Sequence, residues 1–429
     1  MKLKNIIKEI ITDFQLRKFD EIISRDMEIP VDTGKIVSIS GIRRSGKTYL
    51  MFEVIKKLKQ KGIDSKKLIY INFEDERLNI KIEELDLILQ SQRELYPDME
   101  LKNCFYFFDE IQNVDGWEKF VRRLYDTVST NVFITGSNSK LLSSEIATSL
   151  RGRTINYEVF PLSFKEYLKF RKIDDKKFDT KSKGLMVNAF NEYLLCGGYP
   201  EVIGYEDTIR DKTLQTYYQV MIYKDLTERY NVPDLSILNY FLSRVVNNLT
   251  KPTSVNKIFN ELKSNGYKTS KNILYEYLEW IEAVYFTLKV QKFDHSMIRR
   301  EKSEKKYYII DNGLVNAVTY NFSKDYGKLL ENLIAIHLKA QYNKNVYFFK
   351  DNVECDFLVI DRDKPLYAIQ VCWDISDKDT LKREIKGLVT ACKFIGLTEG
   401  LIISMNEDYE LTEDDINIKI ISAMNFLSK

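Results

Sequence analysis

The sequence predicts a P-loop α/β core followed by a helical lid, a winged helix and a small second α/β domain. Three observations predict it. Gly41-Ile42-Arg43-Arg44-Ser45-Gly46-Lys47-Thr48 is a complete G-x-x-x-x-G-K-[ST] phosphate-binding loop between an apolar run and a helix-forming stretch. Further on, Cys104-Phe105-Tyr106-Phe107-Phe108-Asp109-Glu110 is an apolar run ending in two carboxylates. Around both, short apolar runs alternate with helical stretches, the pattern of a parallel sheet.

Composition limits the function classes. Lys plus Arg (65) nearly cancel Asp plus Glu (63) over the 429 residues, so no global field draws in nucleic acid or an anionic membrane. The two histidines, His295 and His337, are far apart in sequence, which argues against a His-rich metal site. The five cysteines form no C-x-x-C pair, as expected in a reducing compartment. No apolar run is long enough to span a bilayer, and charged residues interrupt the N-terminal apolar stretch, so it is not a signal peptide. A cytoplasmic location without membrane contact is the expectation.

In chain order, residues 6–14 read as an amphipathic helix and residues 35–40 as the strand entering the loop. Residues 49–58 form the helix that leaves it. The glycines Gly41 and Gly46 let the backbone wrap a phosphate. The amides of Ile42, Arg43, Arg44, Ser45 and Tyr49 lie around it, with the positive end of a helix dipole behind them. Lys47 is placed to meet the β- and γ-phosphates of ATP, and the Thr48 hydroxyl to hold Mg²⁺. The plain alternative is a chance Gly-rich turn. Strands follow at 67–73 and 104–110, the second ending in Asp109, a candidate Mg²⁺ ligand, and Glu110, a candidate general base. An exposed acidic turn is the alternative there.

The strand 131–138 is expected between the two motif strands, so that Asn138 at its end positions the attacking water. Asn also favours turns in its own right. Arg151 and Arg153 precede the last core strand, 154–160. Arg153 is the preferred candidate for a finger reaching a neighbouring subunit's γ-phosphate, which requires a homo-oligomer; a solvated basic turn is the alternative.

Four segments are expected: the core at 1–163, a helical lid at 164–232, a winged helix at 233–322 and an α/β domain at 323–429. In the third, helices at 235–249, 255–265 and 270–282 precede two strands at 285–293 and 306–310. Its wing carries Arg299, Arg300, Lys302, Lys305 and Lys306, broken by Glu301 and Glu304. DNA docked on this wing would meet Arg299, Arg300, Lys305 and Lys306; a protein contact is the other reading. The third helix presents a mixed polar face, including Glu276 and Glu279, which a DNA-reading helix would not favour. In the last segment a helix at 326–342 precedes strands at 346–350, 355–360 and 366–371, a helix at 380–390 and a strand at 400–405.

The loop, together with Phe-Phe-Asp-Glu-Ile-Gln-Asn-Val, Ile-Thr-Gly-Ser-Asn-Ser-Lys-Leu-Leu, Leu-Arg-Gly-Arg and Phe-Pro-Leu-Ser-Phe-Lys-Glu, resembles a family of archaeal and bacterial AAA+-type ATPases. In that family a winged-helix segment and a restriction-endonuclease-like domain follow the ATPase. The resemblance covers essentially the whole chain and implies the roles given for Lys47, Thr48, Asp109 and Glu110. It also implies that Gly198 and Pro200, in the Gly-Gly-Tyr-Pro break, lie in the lid near the nucleotide.

In the C-terminal domain Glu331, Asp356 and the Gln370-Val371-Cys372 triplet fall where a PD-(D/E)xK nuclease keeps two acids and a lysine. Gln370 brings no charge and Cys372 no ammonium, so an inactive domain is expected. Lys382 and Lys386 are the candidate substitutes for the missing lysine. The function expected is Mg²⁺-dependent ATP binding and hydrolysis that drives or gates change in the C-terminal modules. The alternatives are a nucleotide-dependent binding switch with little turnover and an ATP-gated DNA nuclease.

Overall fold

A computed structural model describes residues 2–19, 22–137, 150–174, 179–319 and 325–428. They divide into two compact units, 1–159 and 160–429.

In the first unit, helix α1 (Lys2–Leu16) precedes β1 (Ile36–Gly41), α2 (Lys47–Gln60), β2 (Leu68–Asn72) and α3 (Asp86–Leu95). Next come β3 (Phe105–Asp109), α4 (Trp117–Thr127), β4 (Val132–Gly136) and β5 (Thr154–Val159). The strands make one parallel sheet in the order β2-β3-β4-β1-β5. A parallel sheet with helices on both faces buries both sides of its strands, and β3 shows why its run is continuously apolar. Tyr106 and Phe108 face a core shared with Ile7, Ile10 and Ile11 of α1 and with Phe120 and Leu124 of α4. Phe107, between them, packs into the opposite core with Leu50, Val54 and Ile55 of α2. As expected, β4 lies between β1 and β3: Phe133 is in register with both Val37 and Phe107. Asn138 and the helix expected from 140 lie outside the described residues.

The second unit opens with α5 (Phe164–Phe170), α6 (Thr180–Cys196) and α7 (Asp207–Val220). A capping box between Ser163 and Glu166 starts α5. Between α6 and α7 lies the Gly-Gly-Tyr-Pro break. Gly197 has φ +73°, and a Cβ there would meet the Asp311 carboxylate at 2.2 Å; one on Gly198 would meet the Leu162 carbonyl at 2.3 Å. Only glycine fits this approach. Asp311 is fully buried and accepts from the Gly198 amide at 2.7 Å and the Leu314 amide at 3.1 Å. Burial pushes its pKa up to about 6 in spite of these bonds. Within this unit the break is therefore part of the scaffold, and Pro200 begins a short 3₁₀ turn, Pro200–Val202.

Three helices, α8 (Leu235–Asn247), α9 (Val255–Ser264) and α10 (Lys271–Ala283), are followed by a hairpin of β6 (Thr287–Lys292) and β7 (Lys305–Ile309), with α11 (Met297–Lys302) in its loop. Asp234, Ser254 and Ser270 cap the three helices. As the sequence suggests, α10 buries Leu274, Tyr277, Leu278 and Ile281. After α12 (Asn312–Val318) and α13 (Tyr326–Tyr342) come β8 (Val346–Lys350), β9 (Glu354–Asp361), β10 (Lys364–Cys372), α14 (Lys378–Ile395), β11 (Glu399–Ser404), β12 (Tyr409–Glu413), β13 (Ile416–Ser422) and α15 (Ala423–Leu427).

The two strands expected around the charged loop pair as an antiparallel hairpin, which does not stand alone. It joins one eight-stranded sheet, ordered β12-β13-β11-β10-β9-β8-β6-β7, through a short parallel pairing of Gln291 with Tyr347 and Lys292 with Phe348. Expected winged-helix and nuclease-like segments thus share a sheet.

Candidate nucleotide site

The phosphate loop leaves β1 at Gly41, where φ is +150° and a Cβ would stand 2.2 Å from the Val159 carbonyl of β5. Arg44 (φ +63°) and Gly46 (φ +95°) take positive φ and turn the chain into α2. The loop is held from inside. The Ser45 hydroxyl donates to the Ile42 carbonyl at 2.9 Å, and the Lys47 ammonium donates to the same carbonyl at 3.1 Å. Arg43 pairs with Glu74 at 2.8 Å. Tyr49, on the first turn of α2, is 61 % exposed. From the N-terminal side Arg25 donates to the Ser45 carbonyl at 2.9 Å.

The carboxylates at the end of β3 meet this loop. Asp109 Oδ2 accepts from Thr48 Oγ1 at 2.8 Å and from Tyr70 Oη at 2.7 Å, and Asp109 Oδ1 is bonded to the Thr135 hydroxyl. Glu110 Oε1 stands 3.4 Å from Lys47 Nζ. Its backbone is left-handed (φ +51°), and its amide donates to Thr135 Oγ1 at 2.9 Å. Gln112 bonds the other Glu110 oxygen. Lys47, Asp109 and Glu110 are all buried.

Burial pushes Asp109 above the usual carboxylate range, against the hydrogen bonds from Thr135, Tyr70 and Thr48. Burial also pulls Glu110 upward, but the Lys47 charge, the Gln112 bond and the Arg43 charge outweigh it, and its pKa falls below the ordinary value. An ionised Glu110 is what proton abstraction requires. The cradle of positive-φ positions and the buried ammonium suit a polyphosphate. The Thr48 hydroxyl and Asp109 carboxylate, already side by side, are the oxygen donors Mg²⁺ prefers.

Beside the site, Ser137 is buried, and among the described residues its hydroxyl has no hydrogen-bond partner. Asn138 lies outside the described residues. Arg153 stands at the other end of the sheet. It precedes β5, about 20 Å along the strand from the level of Gly41. There it pairs with Asp126 at 2.8 Å and lies over the Tyr125 ring. Within one chain it therefore serves the sheet edge. Sequence reading missed Tyr70 and Thr135, because nothing local ties either to Asp109.

A family model described as an AAA domain matches residues 33–168, from just before β1 into α5. Over 427 residues the chain is 37 % identical to an uncharacterized protein of Methanocaldococcus jannaschii, covering 98 % of this chain and 89 % of that one. The chain belongs to that family. An uncharacterized protein of Haemophilus influenzae is 31 % identical over 397 residues, covering 92 % of this chain and 95 % of its own. Two models described as domains of unknown function, DUF8612 and DUF4143, match residues 187–325 and 326–426. Among solved structures, Cdc6p from Pyrobaculum aerophilum overlaps 71 % of this chain and 89 % of its own at 12 % identity and a TM-score of 0.26. AMPPCP-bound DnaA from Aquifex aeolicus overlaps 65 % of this chain and 86 % of its own at 14 % identity and a TM-score of 0.26. The AAA-domain match and the parallel five-stranded sheet make the first unit of this family member AAA-type. No helix among the described residues is long and apolar enough to cross a membrane.

The C-terminal carboxylates form a second cluster. Lys306 on β7 is 1 % exposed. Its ammonium lies 2.7 Å from Glu354, 3.4 Å from Glu331 and 3.7 Å from Asp356. Tyr308 Oη donates to Glu331 at 2.7 Å. Asp356 Oδ2 accepts from the Val371 amide at 2.9 Å, and Gln370 donates to Glu384 at 2.5 Å. Burial tends to lower the Lys306 pKa, but Glu331, Asp356 and Glu354 outweigh it and hold the ammonium charged. Lys306 is thus a buried cation among these carboxylates, whereas Lys382 and Lys386 are exposed. Among the described residues no group of three or more His, Cys, Asp or Glu side chains is arranged to hold a metal.

This corrects the wing. Lys306 is buried on carboxylates and cannot meet a phosphate. Lys305 is half-buried and donates to the Glu301 carbonyl at 2.7 Å. Arg300 lies over the Phe293 and Tyr347 rings and donates to Tyr347 Oη at 3.1 Å. Of the four expected phosphate contacts, only Arg299 is exposed.

Proposed function

We propose that this protein is a Mg²⁺-dependent ATPase whose cycle drives or gates a conformational change in its C-terminal modules. The observation that carries the reading is the convergence of Lys47, Thr48, Asp109 and Glu110 at the ends of β1 and β3. Lys47 holds the β- and γ-phosphates. Thr48 and Asp109 hold Mg²⁺, which neutralises phosphate charge when bound. Glu110 takes the proton of the attacking water. Until phosphate arrives, Glu110 and the Ile42 carbonyl hold Lys47 in place, so nucleotide binding exchanges one anion for another at the same ammonium.

The C-terminal cluster acts as a fixed charge lock rather than as a nuclease, because Lys306 is committed to the carboxylates a metal would need. A partner, nucleic acid or protein, is assigned to the wing tip, where Met297 (74 % exposed) and Ile298 (70 %) stand beside Arg299 and Lys302. A cytoplasmic location fits the five free, buried cysteines.

The test is phosphate release from ATP by the purified protein, with Mg²⁺ and with excess EDTA. Sustained release that chelation stops is expected. Tight ATP binding without turnover would leave the binding-switch reading instead.

A further inference from the structure

Asp109 Oδ2 accepts two hydrogen bonds, and only one comes from a phosphate-loop residue. The other donor is Tyr70, on the neighbouring strand β2. We propose that Tyr70 is a positioning residue for the metal site: its hydroxyl fixes the rotation of the Asp109 carboxylate that holds Mg²⁺ beside Thr48. The proposal rests on the ATPase reading above.

The placement is specific. Tyr70 precedes the end of β2 by two residues, and that end, Asn72, is in register with Asp109. The phenol is 7 % exposed and donates at 2.7 Å. Its ring has little freedom. Phe14 of α1 stacks on it at 4.2 Å with an interplanar angle of 18°, and Phe52 of α2 packs against it at 5.3 Å. A carboxylate can rotate about its last bond, and a metal ligand gains most when that rotation is stopped before the metal arrives. Thr135 stops Oδ1 from one side and Tyr70 stops Oδ2 from the other. The phenol remains a donor at any working pH, because burial and the Asp109 charge raise its pKa. The same stack joins α1 to the metal site, although α1 contributes no residue to the phosphate loop.

The experiment compares wild type, Tyr70→Phe and Tyr106→Phe. Tyr106 is a control of the same kind: a buried tyrosine in the same sheet, donating to Gln92 at 2.8 Å, away from Asp109. Two quantities are read for each protein: affinity for a fluorescent ATP analogue in EDTA and across a Mg²⁺ titration, and phosphate release across the same titration. Tyr70→Phe is expected to keep its affinity in EDTA, which also reports that it is folded. It should need about 10-fold or more Mg²⁺ for half-maximal effect, the usual range for loss of a group that orients a metal ligand. Tyr106→Phe should follow wild type. If Tyr70→Phe superimposes on wild type, or if Tyr106→Phe shifts equally, the positioning role is overturned while the ATPase reading stands. A wild type indifferent to Mg²⁺ would overturn both.

Discussion

Lys306→Met is expected to destabilise the second unit by about 3–5 kcal/mol, the usual cost of removing one partner from a buried ion cluster. The substitution keeps most of the side-chain volume. What it removes is the positive charge facing Glu331, Glu354 and Asp356. The effect has a signed pH dependence. Burial raises the pKa values of Glu331 and Asp356 above their unfolded values, so the folded state binds more protons and loses stability as pH rises through the folded pKa. Without Lys306 both pKa values rise further. The loss should therefore be small in acid, where the carboxyls are neutral, and should grow as pH rises through their folded pKa values. Adding Glu331→Gln and Asp356→Asn to Lys306→Met should recover much of it. Thermal melts of the three proteins from pH 4.5 to 7.5 check this; a Lys306→Met protein as stable as wild type at pH 7 would refute the charge lock. The same melts separate stability from DNA binding, since a wing function of Lys306 would leave stability unchanged.

Lys47→Ala is expected to weaken ATP binding by roughly 100-fold or more, because it deletes the buried ammonium proposed to meet the phosphates. It also leaves Glu110 with one fewer counter-charge, so the Glu110 pKa should rise in the variant. Calorimetric titration with ATP and Mg²⁺ measures the affinity. Near-wild-type binding would remove the phosphate loop from the mechanism.

The site was legible where chemistry follows local spacing. The loop from Gly41 to Thr48 and the strand-end pair Asp109–Glu110 are set by contiguous residues, and the strand pattern gave β4 its place between them. Tyr70, Thr135 and Lys306 were not legible, because each reaches its partner across strands and nothing in a single sequence couples them. The wing failed for a related reason. A run of cations looks solvated in sequence, but β6 pairs with β8, which turns Lys306 inward onto β9 and α13. Two strands were missed although their signal was present. Ile416, Ile418 and Ile420 alternate with polar or half-buried positions, and Asp414-Asp415 is a two-residue turn with both φ values positive. The short capped helix after Asp311 was hidden for another reason: its N-cap carboxylate is spent equally on the Gly198 amide, far away in sequence.

Glu110→Gln tests the central claim most directly, because it changes one atom of the group assigned as base and keeps its size. The measurement is phosphate release at saturating ATP and Mg²⁺, with ATP affinity determined on the same preparation. The ATPase account predicts affinity equal to or tighter than wild type, since an unpaired Lys47 is freed for phosphate, and turnover lower by about 10²–10⁴-fold. Turnover equal to wild type in Glu110→Gln would contradict it.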